Sequence, residues 1–297
     1  MICSKSAKLP VANAQSLFMR ENWGIQTFGI PALWNLSKGE GINVAVLDSG
    51  IAFNHPDFVQ AISMMKDFTN SKAGVYDITG HGTHVAGIIG SRNPKVGLAS
   101  EIKLLIGKII NDEGTVDIDA TVDALYWAIE NKANIINLSI EAKKDYLQLK
   151  QAVEEANKAG CIVVCAAGNA GPKQDSIQYP AKYKSTIAVA AIDRNFKLRV
   201  DASTGPELDL VAPGVDIYSA DLPYGYTTRG GSSMAAPFVS GVIALMLARE
   251  KKNPRITTIN LTDGIRECIS NTAFQLGNPE EKSLYGMGLI HPQRMIV

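Results

Sequence analysis

The stretch GGSSMAAPFVSG, residues 230–241, places two adjacent serines between glycines and a run of small residues. Small side chains would let a helix that begins here pack closely against a sheet. The same arrangement suits a nucleophile, which needs an open face and gains from the positive end of a helix. Pro237 is expected in the first helical turn, where its missing N–H costs little. The stretch alone leaves both interpretations open.

The composition is that of an ordinary soluble protein. The chain has 297 residues, 46% of them hydrophobic and 20% charged, which is enough for one full α/β core. Lys and Arg number 29, as do Asp and Glu, so the charge balance predicts no binding to nucleic acid or to an anionic membrane. We find no apolar run long enough to cross a bilayer and no secretory signal at the N-terminus.

The four cysteines predict a reduced, cytoplasmic protein. Cys161 and Cys165 lie four residues apart in CIVVCAAGN, which has the pattern of a buried strand. In a strand their Cα atoms would be roughly 13 Å apart, which is too far for a disulfide. Cys3 and Cys268 are isolated in the sequence, so free thiols and the cytoplasm are the simplest expectation.

Apolar runs typical of strands alternate with helical patterns along the chain. The strand-like runs are INVAVLDSG, IKLLIGKII, INLSI, CIVVCAAGN, STIAVAAI and ELDLVAPG. Strands without in–out alternation, separated by helices, indicate a mostly parallel sheet covered on both faces. We therefore predict an α/β three-layer sandwich that forms one domain over residues 23–297, with residues 1–22 as an appended arm.

Polar residues fall at the predicted carboxyl ends of these strands, where parallel sheets carry their sites. Asp48 ends VAVLD, His81 begins a helix in GHGTH, Asn169 follows VVCAA, and Ser232 or Ser233 opens the helix quoted above. A nucleophilic hydroxyl needs a base, the base needs an orienting carboxylate, and an amide is a donor for an oxyanion. Each residue alone also fits a cap or a turn, but together they predict an acyl-transfer site.

The segments VAVLDSGIAFNHPDF, HGTHVAGIIG and GGSSMAAPFVSG resemble, in order, the three active-site motifs of the subtilisin-like serine proteases. The segment AAGNAG resembles the oxyanion segment of that family, and the likeness runs from about Gly24 to Pro292. The resemblance implies a subtilisin-like fold and a serine endopeptidase that acts on polypeptides. It also implies that Ser233, directly before Met-Ala, is the nucleophile, that His81 is its base and that Asp48 orients His81.

The same resemblance implies that the side chain of Asn169 and the backbone N–H of Ser233 receive the oxyanion. The residues that it assigns to substrate binding are Ser139, Ile140, Glu141, Ala142, Ala170 and Gln178. Glu141 and Ala142 stand where the family usually has two glycines, so they narrow the cleft and add a carboxylate. Asp201 replaces a phenylalanine nearby. These two acids predict a preference for basic or polar substrates, unless Glu141 simply faces the solvent.

No cofactor and no catalytic metal is implied for the chemistry. The segment GSRNPKVGLAS is shorter than the calcium-binding loop of the family and offers Arg92 and Lys95 but no carboxylate. Asp57 would contribute one oxygen, whereas calcium takes six to eight. We therefore expect no strong calcium site at this position.

The N-terminal arm is similar in position to that of the intracellular subtilisins, where a short segment blocks the cleft. The sequence KLPV, residues 8–11, precedes GIQTFGIPALW at nearly the corresponding distance. Proline lacks an N–H and restricts φ, so it disturbs the extended pairing that a cleaved substrate adopts. We predict that the arm around Pro10 lies in or beside the cleft and inhibits the enzyme; a frayed terminus is the alternative.

Two other functions stay open at this point. A dedicated peptidase that trims leaders from precursor peptides would explain the altered cleft wall. A catalytically inactive subtilisin-like scaffold that binds proteins is the alternative from another class, and the complete set of Asp48, His81 and Ser233 argues against it.

Overall fold

The computed structural model describes residues 20–171, 175–252 and 261–297. The predicted contact of the arm around Pro10 lies outside these ranges. Glu21 and Asn22 are buried, and the Asn22 side chain caps the first helix by accepting from the N–H of Gly24. These two residues therefore pack with the body of the protein.

A parallel sheet forms the centre of the molecule. Within the described residues its strands are β1 (Asn43–Asp48), β2 (Ile62–Asp67), β3 (Lys103–Lys108), β4 (Ile135–Leu138), β5 (Ile162–Ala166), β6 (Thr186–Ile192) and β7 (Leu210–Pro213). Their order across the sheet is β2-β3-β1-β4-β5-β6-β7. Every neighbouring pair is parallel. Because the carboxyl ends of parallel strands share one edge, the residues that follow them come together there.

Helices cover both faces of this sheet. They are α1 (Trp23–Thr27), α2 (Ile30–Leu33), α3 (His81–Gly90), α4 (Ile118–Glu130), α5 (Leu147–Lys158), α6 (Ser232–Lys252), α7 (Leu261–Thr272), α8 (Lys282–Tyr285) and α9 (Pro292–Ile296). α6 packs against α3 and against β4 to β7, whereas α4 packs against α5, β1 and β3. The predicted three-layer α/β sandwich is confirmed.

The strands that were predicted from apolar runs differ in burial from those that were missed. β4, β5, β6 and β7 have every residue buried, as expected for strands covered on both faces. The edge strand β2 instead has four exposed residues at its centre, 63–66. It therefore lacks an apolar run. The sequence also gave no sign of α7 or of the antiparallel hairpin formed by β8 (Ile217–Asp221) and β9 (Gly225–Arg229).

The central helix α6 corrects one prediction. It begins at Ser232, so Pro237 lies in its second turn and not in its first. The missing N–H of Pro237 would have bonded the carbonyl of Ser233, four residues earlier. The hydroxyl of Ser139 donates to that carbonyl instead, at 3.0 Å. The helix tolerates the proline because a neighbouring loop replaces the absent donor.

Helix α6 is long and apolar enough to cross a membrane by length and composition alone. It was not identified from the sequence as an apolar run of that length. It is the one such helix in the described ranges, and 83% of its most apolar stretch of 18 residues is buried inside the protein. Its apolar residues pack against α3 and against β4 to β7.

Candidate active site

Asp48 and His81 form a close pair at the carboxyl edge of the sheet. Asp48 is the last residue of β1, and His81 is the first residue of α3. The Nδ1 of His81 lies 2.7 Å from the Oδ1 of Asp48. A Cβ at Gly82 would clash with the carbonyl oxygen of Gly50, so glycine lets α3 start this close to β1. The carboxylate is 1% exposed and the imidazole 27%, so the acid is shielded while the ring stays accessible.

Opposing effects set the protonation of His81. Burial lowers its pKa, but the charge of Asp48 and the hydrogen bond to it raise the pKa by more, so the pKa lies above its usual value. The positive charge of Arg229 acts with burial, and the negative charge of Asp77 acts against it. A base of raised pKa accepts protons more strongly but is free only at pH values above that pKa.

A fully buried carboxylate, Asp77, organises the start of α3, and sequence reasoning missed it. Its Oδ1 accepts from the Oγ of Ser49, from the N–H and Oγ1 of Thr79 and from the N–H of Gly80, at 2.9–3.1 Å. Its Oδ2 accepts from the N–H and Oγ1 of Thr83 at 2.8 and 2.7 Å. These donors satisfy the buried charge. The available signal was the acid in DITGHG, because an acid shortly before a helix start is typical of a capping turn.

The two adjacent serines have different environments. Ser232 is fully buried, its Oγ accepts from the N–H of Gly168 at 3.1 Å, and its own N–H donates to the Oδ1 of Asn169 at 3.1 Å. Ser233 is half-buried, and its Oγ donates to the carbonyl of Ser139 at 3.4 Å. Ser233 therefore carries the accessible hydroxyl, while Ser232 holds the loop of Asn169 against α6.

Ser233 lies in the first turn of α6 and His81 begins α3, and these two helices pack against each other. In the part of the chain that the structure describes, Ser233 Oγ makes its hydrogen bond with Ser139 and none with the imidazole. Hydrogen bonds of this kind often tighten only when a substrate is bound. In this arrangement the hydroxyl points to the carbonyl of Ser139.

The amide of Asn169 lies between α6 and Glu141. Its Nδ2 donates to the Oε1 of Glu141 at 2.8 Å. Glu141 as a residue is exposed, yet its carboxyl group bonds this amide and is partly shielded from water. This shielding raises the pKa of Glu141, the charge of Asp201 adds to the rise, and the hydrogen bonds with Asn169 oppose it.

The remaining predicted substrate residues line the same region. Ser139, Ile140 and Ala142 are buried on either side of Glu141. The backbone of Ala142 pairs with that of Tyr179 through bonds of 2.8 and 3.0 Å. The other two are Ala170, whose N–H donates to Ser203 Oγ at 3.0 Å, and Gln178, whose side chain packs beside Gly168.

The second acid that was expected at the cleft is already paired. Asp201 accepts from the Nε and Nη2 of Arg199 at 2.5 and 2.9 Å. The hydrogen bond and charge of Arg199 lower the pKa of Asp201. Its charge is therefore compensated within the chain, and the carboxylate of Glu141 is the one that faces Asn169.

The other histidines have structural roles. His84 is buried, and its Nε2 lies 3.0 Å from the carbonyl of Ile217. Burial, followed by the charge of Arg229, lowers the pKa of His84 to about 3, so it stays neutral. His55 caps the turn Pro56–Phe58, and His291 caps α9.

Asp57, the one carboxylate that was considered for calcium, accepts hydrogen bonds from two hydroxyl groups. Ser91 Oγ donates to its Oδ2 at 2.5 Å, and the hydroxyl of Tyr226 donates to its Oδ1 at 2.8 Å. Because a hydroxyl group donates to each of its two oxygens, this carboxylate is poorly arranged to bind a cation. Across the described ranges no group of three or more His, Cys, Asp or Glu residues is arranged to hold a metal ion.

Comparison with known proteins identifies the family. The model of the subtilase family of peptidases matches residues 39–288. The chain is 38% identical over 276 residues to a thermostable alkaline protease of Halalkalibacterium halodurans, covering 92% of this chain and 72% of that protein. It is 40% identical over 234 residues to an intracellular serine protease of Paenibacillus polymyxa, covering 75% and 72%. It is 37% identical to subtilisin DY of Bacillus licheniformis, covering 86% and 90%. The chain therefore belongs to the subtilase family and is a serine-type endopeptidase.

Proposed function

We propose that Asp48, His81 and Ser233 are the catalytic triad of this peptidase. The observation that carries the proposal is the 2.7 Å pair of His81 and Asp48 at the sheet edge where Ser233 lies in the first turn of α6. Ser233 Oγ bonds to the carbonyl carbon of the substrate while His81 takes its proton. The amine then leaves with that proton, and water repeats the sequence to release the acid. Asp48 holds the imidazole in one tautomer and stabilises its charged form.

The oxyanion is assigned to two donors, the Nδ2 of Asn169 and the backbone N–H of Ser233. The position of Ser233 at the start of α6 supports this, because the first N–H groups of a helix have no partner within it. Donors that are oriented before the reaction stabilise the negative charge as it develops. Ser139 to Ala142, together with Ala170 and Gln178, form the surface along which the substrate lies.

An active-site probe tests the assignment. A fluorophosphonate should label the wild-type enzyme, and mass spectrometry of the digest should place the label on Ser233. Ser233→Ala should lose the label, while Ser232→Ala should keep it. A label on Ser232, or an unlabelled wild type that is folded, would refute the triad.

We also propose that the enzyme acts in the cytoplasm. Cys161 and Cys165 are free thiols, and burial raises the pKa of Cys161 to about 11, which keeps it unreactive. A relative from Paenibacillus polymyxa is named an intracellular serine protease. Fractionation of the host cell with an antibody to this chain would test the proposal, and recovery from the culture medium alone would refute it.

A further inference from the structure

Glu141 accepts a hydrogen bond from the Nδ2 of Asn169, which is the proposed side-chain donor to the oxyanion. The N–H of Ser232 fixes the Oδ1 of Asn169 at 3.1 Å, so the Nδ2 is turned to Glu141, which accepts at 2.8 Å. An amide nitrogen has two hydrogens. Whichever of them Glu141 uses, a carboxylate lies beside the nitrogen that has to stabilise a second negative oxygen. Because like charges repel strongly where water is partly excluded, Glu141 in this position opposes formation of the oxyanion.

The side chain of Glu141 is able to rotate away from Asn169 while the backbone of residues 139–142, the proposed wall of the substrate cleft, stays in place. Ser139 is held by its hydrogen bond to the carbonyl of Ser233, and Ile140 is 2% exposed. Ala142 is held by its backbone pair with Tyr179. Between these anchors the side chain of Glu141 projects from an exposed position. Rotation of that side chain alone therefore separates the carboxylate from Asn169.

The carboxylate of Glu141 has no cationic partner in the described part of the chain. The guanidinium of Arg199 is bound by Asp201 through two hydrogen bonds. Partial burial raises the pKa of Glu141, and the charge of Asp201 acts in the same direction. A positive group brought by a substrate would relieve both effects, because it would supply the missing counter-charge.

We propose that Glu141 is a specificity-determining residue that links the charge of the substrate to the availability of the oxyanion donor. A basic side chain beside the scissile bond binds the Glu141 carboxylate, draws it from Asn169 and frees the Nδ2. A neutral substrate leaves the carboxylate on Asn169 and reacts slowly. The inference rests on the proposed role of Asn169. It requires selection in kcat, whereas an acid that only attracted basic substrates would change KM.

The test uses two peptides that differ only in lysine or methionine beside the scissile bond. Wild-type enzyme should cleave the lysine peptide with a kcat at least roughly tenfold higher, about the effect of one charge-assisted hydrogen bond. Glu141→Ala should raise kcat on the methionine peptide by a similar factor and remove the preference. Glu141→Gln keeps an acceptor but no charge and should also lose the preference. Glu155→Ala, an exposed glutamate on α5, is the matched control and should change neither peptide.

A double-mutant cycle separates this mechanism from simple attraction. In an Asn169→Ala background, Glu141→Ala should change kcat on the methionine peptide less than about twofold, because no donor remains to be released. Retention of the full increase in that background would overturn the coupling.

Labelling distinguishes failure of this inference from failure of the proposed function. If Ser233 is labelled by a fluorophosphonate in all folded variants while the lysine preference and kcat of Glu141→Ala equal those of the wild type, the inference is wrong and the triad stands. If the folded wild type is not labelled, both are wrong. Should Glu141→Ala fail to fold, Glu141→Gln decides the question with the same two peptides.

Discussion

Around His81 the site is held by buried hydrogen bonds within the chain, whereas around Asn169 it is more accessible, and the Nδ2 of Asn169 is bound by one side chain that is able to rotate. On the first side, Asp48 and Asp77 are almost fully buried and fix the start of α3. On the second side, the exposed Glu141 is the partner of the Asn169 Nδ2. Proton transfer requires fixed geometry, while selection of substrates needs only a change in an exposed contact.

The largest effect is expected from Ser233→Ala, which removes the oxygen that we propose attacks the substrate. We expect kcat to fall by at least about four orders of magnitude. The melting temperature should stay unchanged, because the lost hydroxyl bonds only Ser139 at 3.4 Å. Ser232→Ala should retain most activity but lose about 1–3 kcal/mol of stability, since the buried N–H of Gly168 loses its acceptor. Loss of activity in Ser232→Ala together with retained activity in Ser233→Ala would mean that Ser232 is the nucleophile.

Asn169→Ala should lower kcat by about two to three orders of magnitude with little change in KM, the range known for oxyanion donors in subtilisins. The reason is that its Nδ2 acts once negative charge has developed. Steady-state kinetics on one peptide measures both constants. Asn195→Ala, in an exposed turn, is the matched control. An increase in KM at constant kcat would mean that Asn169 only binds substrate.

Asp77→Asn tests the buried side of the site. It puts an N–H₂ group among donors that come from Ser49, Thr79, Gly80 and Thr83. We expect a loss of at least about 2 kcal/mol in unfolding free energy, because buried donors lose their acceptor. kcat/KM should fall about tenfold as the start of α3 and His81 shift, since small displacements of a catalytic group are costly. Urea unfolding and kinetics measure the two effects, and unchanged values for both would refute the role of Asp77.

The pH profile follows from the raised pKa of His81. Activity should be lost as the pH falls through that pKa, with a midpoint in kcat/KM above about 6.5. Stability has the opposite sign: the charged pair of His81 with Asp48 stabilises the fold at low pH, and this contribution is lost as the pH rises through the same value. Asp48→Asn should move the acid limb to lower pH. A wild-type midpoint below 6.5 would contradict the dominance of Asp48.

The smallest effect on stability is expected when calcium is removed with EDTA. We propose that Asp57 needs no calcium, because Ser91 and Tyr226 donate to its two carboxylate oxygens. EDTA should leave the melting temperature unchanged, while Tyr226→Phe should cost about 1 kcal/mol of stability. A marked fall in melting temperature with EDTA, reversed by calcium, would show that a cation is bound after all.

The sequence predicted the parts of the site that depend on short local patterns. Asp48 ends β1, His81 begins α3 and Ser233 lies in the first turn of α6, and the apolar runs and glycines of these elements are visible in the chain. The role of Asp77 was not predicted, although Thr79, Gly80 and Thr83 donate to it from the next six residues and only Ser49 is brought to it by the fold. The bond between Glu141 and Asn169 was missed because it joins residues 28 positions apart. The edge strand β2 lacked an apolar pattern because its central residues face the solvent.

Two hydrogen bonds join Ser139 and Ser233, so segments that contain these residues cannot be exchanged independently between related proteases. The hydroxyl of Ser139 replaces the N–H that Pro237 lacks, and the carbonyl of Ser139 accepts from the Ser233 hydroxyl. A transplanted cleft wall without a hydroxyl at position 139 would leave the Ser233 carbonyl unsatisfied and loosen the first turns of α6. Positions 139, 233 and 237 therefore have to be exchanged as one unit.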